Sequence, residues 1–185
     1  MIINIPTESD YFKIANNNLN IVWDNLFGLV SEYDHAEIIN DGDIQFYLNC
    51  SYHRHNKATW LVLIQAASEL FIKGKILNMG NQYLIDDIRR NKIKTECEEE
   101  VSFSDLKSID ASKLTKKYNE LYDERVSSSF DKIFNELRKV RNQIMHSALP
   151  DFEYSIYEII IFILEIQRQF GELWVISRNR YFFFY

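Results

Sequence analysis

The chain has 185 residues, of which 46% are hydrophobic and 26% charged, and its formal net charge is −6 at pH 7. This length and apolar content suffice for a single domain with a full core, and they exclude a disordered chain. The acidic balance excludes a global positive field, so any contact with nucleic acid must use a local patch or a partner.

Residues that break regular structure are scarce, since the chain contains two prolines and five glycines. Long helices with few tight turns fit this composition better than a strand-rich sandwich does. We therefore expect an all-α fold, with residues 1–185 forming one domain.

The sequence also indicates a compartment. Cys50 and Cys97 are isolated, and the first residues lack a charged segment followed by an apolar one. The longest apolar run, residues 159–164, is too short to cross a membrane. We expect a cytoplasmic protein in a reducing setting, with no membrane segment.

In the first part of the chain, residues 1–6 form either a loose or a pairing segment. After the polar residues 16–18, apolar side chains recur with helical spacing over residues 19–33 and predict a first amphipathic helix. Residues 41–43, Asp-Gly-Asp, are a turn signal. Residues 44–52 fit either a short strand or a helix.

Cys50, His53 and His55 have a spacing that suits a soft divalent metal, and on an extended backbone the two histidines share a face. A structural zinc site needs a fourth ligand, however, and no paired motif follows. We favour a surface His-Arg-His loop that contacts RNA phosphates, and we predict no metal site and no cofactor.

Residues 58–77 predict a long, central, buried helix, because apolar side chains surround nearly all of its first half. Glu69 and Lys73 lie four residues apart in the favourable order on this helix. On residue spacing alone they form a surface ion pair that contributes about 0.3–0.5 kcal/mol.

The densest basic run follows this helix and immediately precedes the acidic residues 96–100. Such neighbouring blocks are usually a solvated connector. The basic run is also the best candidate for a phosphate-binding patch in an acidic chain, and its members are Arg89, Arg90, Lys92 and Lys94. Ser104 is expected to cap a new helix that continues through Asp105 and Leu106.

The last part of the chain predicts three further segments. Residues 113–126 have helical propensity, and the serines 127–129 mark the start of an amphipathic helix that ends before Pro150. A final helix over residues 152–170 is core. The aromatic tail at the end of the chain is too apolar to lie in water, so it either packs on the domain or forms a contact surface.

The amphipathic helix that begins at the serines carries the candidate chemistry. With about 100° per residue, Arg138, Asn142 and His146 share a strip opposite the apolar face, and Arg141 lies beside them. Imidazole transfers protons near neutral pH, guanidinium holds phosphate through two hydrogen bonds, and an amide orients either partner. His146 lies near the predicted end of this helix. The alternative is a merely solvated helix face.

Three stretches of the chain carry a family resemblance: Arg-Asn-x-x-x-His at Arg141–His146, residues 67–77, and residues 94–95 leading to 101–106. Together they resemble the HEPN superfamily (higher eukaryotes and prokaryotes nucleotide-binding domains), in its bacterial defence branch. The likeness covers residues 57–170, and the tail 171–185 matches nothing in it. It implies an up-and-down bundle with long core helices.

The resemblance also implies a function. HEPN ribonucleases cleave RNA without a metal, and Arg141, Asn142 and His146 match their motif position by position. Glu69, Lys73 and Arg138 are then expected to line or support the same cleft. The implied protein is a toxin or abortive-infection effector that acts as a homodimer with a composite site, with an antitoxin or defence-system protein as a further partner. The alternative is a non-catalytic HEPN-like module that binds a partner protein or a nucleotide through the same polar strip.

Overall fold

A computed structural model describes residues 2–39, 51–85, 100–146 and 154–172, with side chains for all of these except 30–39 and 51–55. Within these ranges the chain is all-α, as predicted. The elements, in chain order, are β1 (Ile2–Ile3), α1 (Glu8–Ile39), α2 (Ser51–Met79), a 3₁₀ turn (Asn81–Leu84), β2 (Val101–Ser102), a second 3₁₀ turn (Phe103–Asp105), α3 (Ala111–Leu121), α4 (Ser128–His146) and α5 (Ile156–Phe170). The two short strands pair in parallel.

Among the described elements, helices α1 and α2 pack against each other most extensively. The first turns of α1 meet the last turns of α2, where the rings of Phe12 and Phe71 lie 6.1 Å apart. A Cβ atom at Gly74 would lie 2.4 Å from the Phe12 ring, so the close approach depends on glycine. Since α1 continues away from this end while packed on α2, the two helices are antiparallel.

Helices α4 and α5 are also antiparallel. Near the start of α4, Ser129 donates a hydrogen bond to Glu165 in the last turns of α5, at 2.9 Å. Further along α4, Glu136 accepts one from Tyr154, just before α5 begins, also at 2.9 Å. Together with the α1–α2 pair, this gives the alternating directions of an up-and-down bundle.

The core lies between the four long helices and is rich in aromatic side chains. Phe170 is its centre, since its ring stacks on Phe71 of α2 at 5.4 Å and meets Phe130 of α4 edge-on at 5.3 Å. All three rings are almost fully buried. This contact packs α5 against both α2 and α4.

Local capping explains where the helices begin. The Ser127 hydroxyl accepts a hydrogen bond from the Phe130 amide at 3.1 Å and starts α4, as the serine run predicts. Ser155 and Glu158 form a reciprocal capping box at the start of α5. Asp110 caps α3 by accepting from the Ser112 amide at 2.7 Å.

Several local predictions were wrong. The helix predicted over residues 113–126 ends at Leu121, and the final helix begins at Ile156 rather than at residue 152. Helix α1 begins at Glu8, well before the predicted start, because Thr7 and Asp10 exchange hydrogen bonds at its first turn. Ser104 starts no α-helix, because the chain is extended again at Leu106. His53 and His55 belong to α2 rather than to an extended segment or a surface loop. Residues 51–52 are likewise helical, and residues 44–50 lie outside the described ranges.

Across these ranges, no helix has the length and apolar content needed to span a membrane. The apolar stretch near Ile160 belongs to α5, where Ile159, Phe162, Ile163 and Ile166 face the core. One face of this helix is therefore core, as predicted, but its other face is not packed within these ranges, since Tyr157, Ile161 and Leu164 are exposed.

Candidate active site

Arg141 lies in the last turns of α4, at the edge of the groove between α4 and α2. Its neighbour Val140 is buried, and Ile144 packs against the core, so the apolar face of α4 is occupied within the domain. The Arg141 side chain turns towards α2 and remains 38% exposed. The periodicity predicts this arrangement, with Arg141 beside the apolar face rather than on it.

The guanidinium of Arg141 meets two polar residues of α2. Its Nη1 donates to Gln65 Oε1 and to Glu69 Oε2, each at 3.4 Å. Both are long hydrogen bonds and together require no more than two of the five N–H donors of the group. The guanidinium therefore retains the capacity to bind an anion through a planar pair of donors.

Glu69 connects Arg141 with the rest of the network. Its Oε1 accepts from Lys73 Nζ at 2.6 Å, and its Oε2 accepts from Gln65 Nε2 at 3.0 Å. Burial alone would raise the pKa of Glu69, but Lys73, Gln65 and Arg141 together outweigh it and lower the pKa. Glu69 is therefore a carboxylate at neutral pH. With side chains only 16% exposed, Glu69 and Lys73 are not the surface ion pair that spacing alone predicts.

Tyr11 of α1 is close to the same network. Burial raises the pKa of its hydroxyl, and the negative charge of Glu69 raises it further. Tyr11 is thus within electrostatic reach of Glu69, while the hydrogen bonds of the network link Glu69 of α2 with Arg141 of α4.

The charges in this network do not balance. Lys73 and Arg141 share the single carboxylate of Glu69, so the group carries one net positive charge. Glu69 and Lys73 are mostly buried, whereas Arg141 reaches the surface. An anion in solvent would therefore meet the excess positive charge at Arg141. A partly exposed guanidinium with excess positive charge behind it suits a phosphate or another anion.

The three residues of the predicted polar strip on α4, Arg138, Asn142 and His146, differ in their exposure. Asn142 and His146 are exposed, as predicted. Arg138 is partly buried, and its Nε is fully buried without a hydrogen-bond partner in the described ranges. Its charge helps to lower the pKa of Asp110, though hydrogen bonds from Ser112 contribute more. Arg138 is thus within electrostatic reach of Asp110, the residue that caps α3.

The structure brings Glu69, Lys73 and Arg141 together, although 68 or more residues separate the first two from the third in sequence. It adds two residues that the sequence pattern did not predict, Gln65 and Tyr11. Gln65 could have been predicted from the sequence, since residues 65, 69 and 73 form a polar stripe at intervals of four in a mostly apolar part of this helix. Tyr11 had none, because a tyrosine with helical spacing is indistinguishable from core.

Other predicted sites lie beyond the described residues. This applies to the RNA-binding candidates Arg89, Arg90, Lys92 and Lys94, and to Cys50. The side chains of His53 and His55 also lie outside the described part of the chain. In the remainder, no three His, Cys, Asp or Glu side chains form a group that would hold a metal ion.

Comparisons of the chain with protein-family models, with curated proteins and with solved structures found no match.

Proposed function

We propose that this chain is a metal-independent endoribonuclease of the HEPN class. The observation that carries the proposal is the unbalanced network at the end of α4. Arg141 has one net positive charge behind it and free donor capacity, while Asn142 and His146 are exposed within one and a half turns of it. In the transition state of RNA cleavage the phosphate gains negative charge, which a guanidinium can stabilise while an imidazole and an amide serve the reacting oxygens.

In the proposed reaction the RNA 2′-hydroxyl attacks the adjacent phosphorus, and the bond from phosphorus to the 5′-oxygen breaks. The products are a 2′,3′-cyclic phosphate and a free 5′-hydroxyl. Arg141 stabilises the charge on the phosphate oxygens, His146 transfers a proton at the attacking or the leaving oxygen, and Asn142 orients one of them. Gln65 and Glu69 act as positioning residues for the guanidinium.

We propose that the active unit is a homodimer. On an ideal helix Arg141 and His146 are about 140° apart, which is a poor arrangement for one protomer to act alone. Met145 precedes His146 directly in sequence and is 67% exposed. A second copy placed against this end of α4 would cover Met145 and bring a second Arg141 and His146 to the same cleft.

The biological role proposed is that of a toxin or an anti-phage abortive-infection effector, acting on RNA in the cytoplasm and restrained by an antitoxin or defence-system partner. Arg89, Arg90, Lys92 and Lys94 are proposed to supply further phosphate contacts, since no other stretch of the sequence is as basic. If they do, reversing the charges of Arg89 and Arg90 should raise the RNA concentration needed for half-maximal cleavage.

The experiment that tests the proposal is RNA cleavage in excess chelator, with the new ends identified by mass spectrometry. Arg, Asn and His can perform the transfer without a metal, so we expect undiminished cleavage and 2′,3′-cyclic phosphate ends. Cleavage that stops in EDTA and is restored by a divalent ion would refute the mechanism, and linear 5′-phosphate products would refute the chemistry. Light scattering on the same sample should give a dimer, and a monomer that still cleaves RNA would exclude the composite site.

One observation favours a second candidate, a non-catalytic HEPN-like module that binds a partner protein. The exposed surface at the end of α4 combines Met145 with the uncharged polar side chains of Asn142 and Gln143. Protein interfaces are enriched in methionine and arginine and depleted in glutamate and lysine. An absence of cleavage by a folded, dimeric protein on any tested RNA would favour this candidate.

A further inference from the structure

A second basic feature lies away from the α2–α4 groove. It is a cavity of about 390 Å³ between the 3₁₀ turn that follows α2 and the exposed side of α3. This volume is within the range of about 300–1,000 Å³ that is usual for ligand pockets. Three lysines form its wall, Lys113, Lys116 and Lys117, and three residues form its floor, Tyr83, Ile85 and Ile109.

The floor of the cavity is fixed by backbone pairing. Ile85 pairs with Ser108 in an antiparallel bridge, and the Ile109 amide donates to the Leu84 carbonyl at 2.7 Å. Ile85 and Ile109 are both 8% exposed. Asp110 then caps α3, so the lysine-bearing helix begins directly from this bridge. The cavity therefore has a preformed apolar base.

The wall of the cavity is cationic. Residues 113, 116 and 117 are three and four apart, so α3 presents them on one face. One carboxylate, Glu120, also lines the cavity and lies 3.3 Å from Lys117 Nζ. Three lysines against one glutamate leave the described lining positive in a chain whose net charge is −6. Lys113 also interacts with the carboxylate of Asp110, so the positive excess of the lining is carried by Lys116 and Lys117 against Glu120. A bound anion would interact favourably with that excess charge.

An aromatic ring lies beside the lysines. Lys117 Nζ is 5.4 Å from the centre of the Tyr83 ring, within the range of a cation–π contact. Lysines that follow a backbone and an aromatic ring that accepts a base are the elements of sequence-tolerant single-strand binding sites. A compact anion such as free phosphate would use the lysines alone and leave the apolar floor uncovered.

We propose that this cavity is a binding site for single-stranded RNA, in which Lys116 and Lys117 contact backbone phosphates. The inference rests on the proposed function, since it gives the ribonuclease a place to hold its substrate outside the α2–α4 groove. It also gives an acidic chain a local basic surface for a polyanionic substrate.

The test measures binding separately from cleavage. The probe is a short, fluorescently labelled single-stranded RNA in which every 2′-hydroxyl is methylated, because it cannot undergo 2′-hydroxyl attack. The double variant Lys116→Gln with Lys117→Gln should weaken its binding about tenfold. The slope of log affinity against log salt should become shallower by about 1.4, or about 0.7 for each phosphate that a lysine no longer neutralises. The matched control is Lys13→Gln with Lys132→Gln, two exposed lysines on α1 and α4, and it should change neither quantity.

Several outcomes would overturn the inference. The inference is wrong if the Lys116 and Lys117 double variant binds the RNA with the same affinity and the same salt dependence as the control variant. Another such outcome is adenosine monophosphate that competes as strongly as an RNA strand at equal phosphate concentration, because the cavity would then take a single nucleotide. Unmodified RNA distinguishes this inference from the proposed function. Lysine-dependent binding without cleavage would refute only the ribonuclease, whereas cleavage with an unchanged KM in the lysine variant would refute only the cavity site.

Discussion

The carboxylate of Glu69 is the simplest point at which to perturb the network, because Glu69→Gln removes its charge and keeps its shape. In the wild type, Lys73 Nζ lies 2.6 Å away and Arg141 Nη1 3.4 Å away, and the side chain of Glu69 is 16% exposed. Hydrogen bonds to a charged group contribute about 1.5–3 kcal/mol, whereas ordinary hydrogen bonds contribute about 0.5–1.5 kcal/mol. We therefore expect Glu69→Gln to lower the free energy of unfolding by about 1–2 kcal/mol at pH 7.

The same substitution should change how stability depends on pH. The pKa of Glu69 is lower in the folded than in the unfolded chain, where it is about 4.3. The stabilisation is therefore complete above that value and disappears as the pH falls through the lower, folded pKa. Urea unfolding should show the variant clearly less stable at pH 7, and the difference should shrink below about pH 4.

The matched control for this experiment is Glu120→Gln. Glu120 also pairs with a lysine on its own helix, Lys117, at 3.3 Å, but its side chain is 50% exposed. Such a pair contributes about 0.3–0.5 kcal/mol, so the control should be nearly neutral. If both variants lose the same stability, or if the difference at Glu69 persists unchanged at low pH, the Arg141 network is not a coupled, partly buried ion cluster.

Three further substitutions test the bundle by urea unfolding. Gly74→Ala should lower the free energy of unfolding by about 1–3 kcal/mol despite alanine's better helix propensity, because the added Cβ would meet the Phe12 ring. An unchanged free energy of unfolding would contradict the close packing of α1 on α2. Ser155→Ala should cost about 0.5–2 kcal/mol by removing the cap of α5, and an unchanged midpoint would mean that the cap is not formed. Tyr154→Phe should lower the free energy of unfolding by about 0.5–1.5 kcal/mol, because it removes the hydroxyl that donates to Glu136. A variant more stable than the wild type would argue against that contact.

Much of the bundle is predictable from the sequence because helix periodicity is a local signal. Helix α4 shows this best, since the residues predicted to face the core, from Phe130 to Val140, are buried. The start of α1 is harder to predict because the asparagines at 16–18 suggest a helix boundary. Their low helix propensity costs less than about 1 kcal/mol each, and the burial of Ala15 and Leu19 outweighs it.

The candidate site was predictable only in part. The exposure of Asn142 and His146 follows from their helical phase relative to Val140. The contact between Arg141 and Glu69 does not, because it depends on how two distant helices pack. Arg138 differs from its expected exposure because helical phase alone does not indicate which neighbouring elements pack on that side of α4. The lysines of α3 resemble a solvated face until the turn after α2 is placed beside them.

The measurement that tests the central claim most directly is cleavage of unmodified RNA by three single variants. Arg141→Ala and His146→Ala are predicted to abolish cleavage while remaining folded, because neither side chain lies in the core. Gln143→Ala, an exposed neighbour on the same turn, is the control and should cleave like the wild type. Near-wild-type cleavage by a folded Arg141→Ala or His146→Ala variant would contradict the assignment of this pair as the catalytic residues.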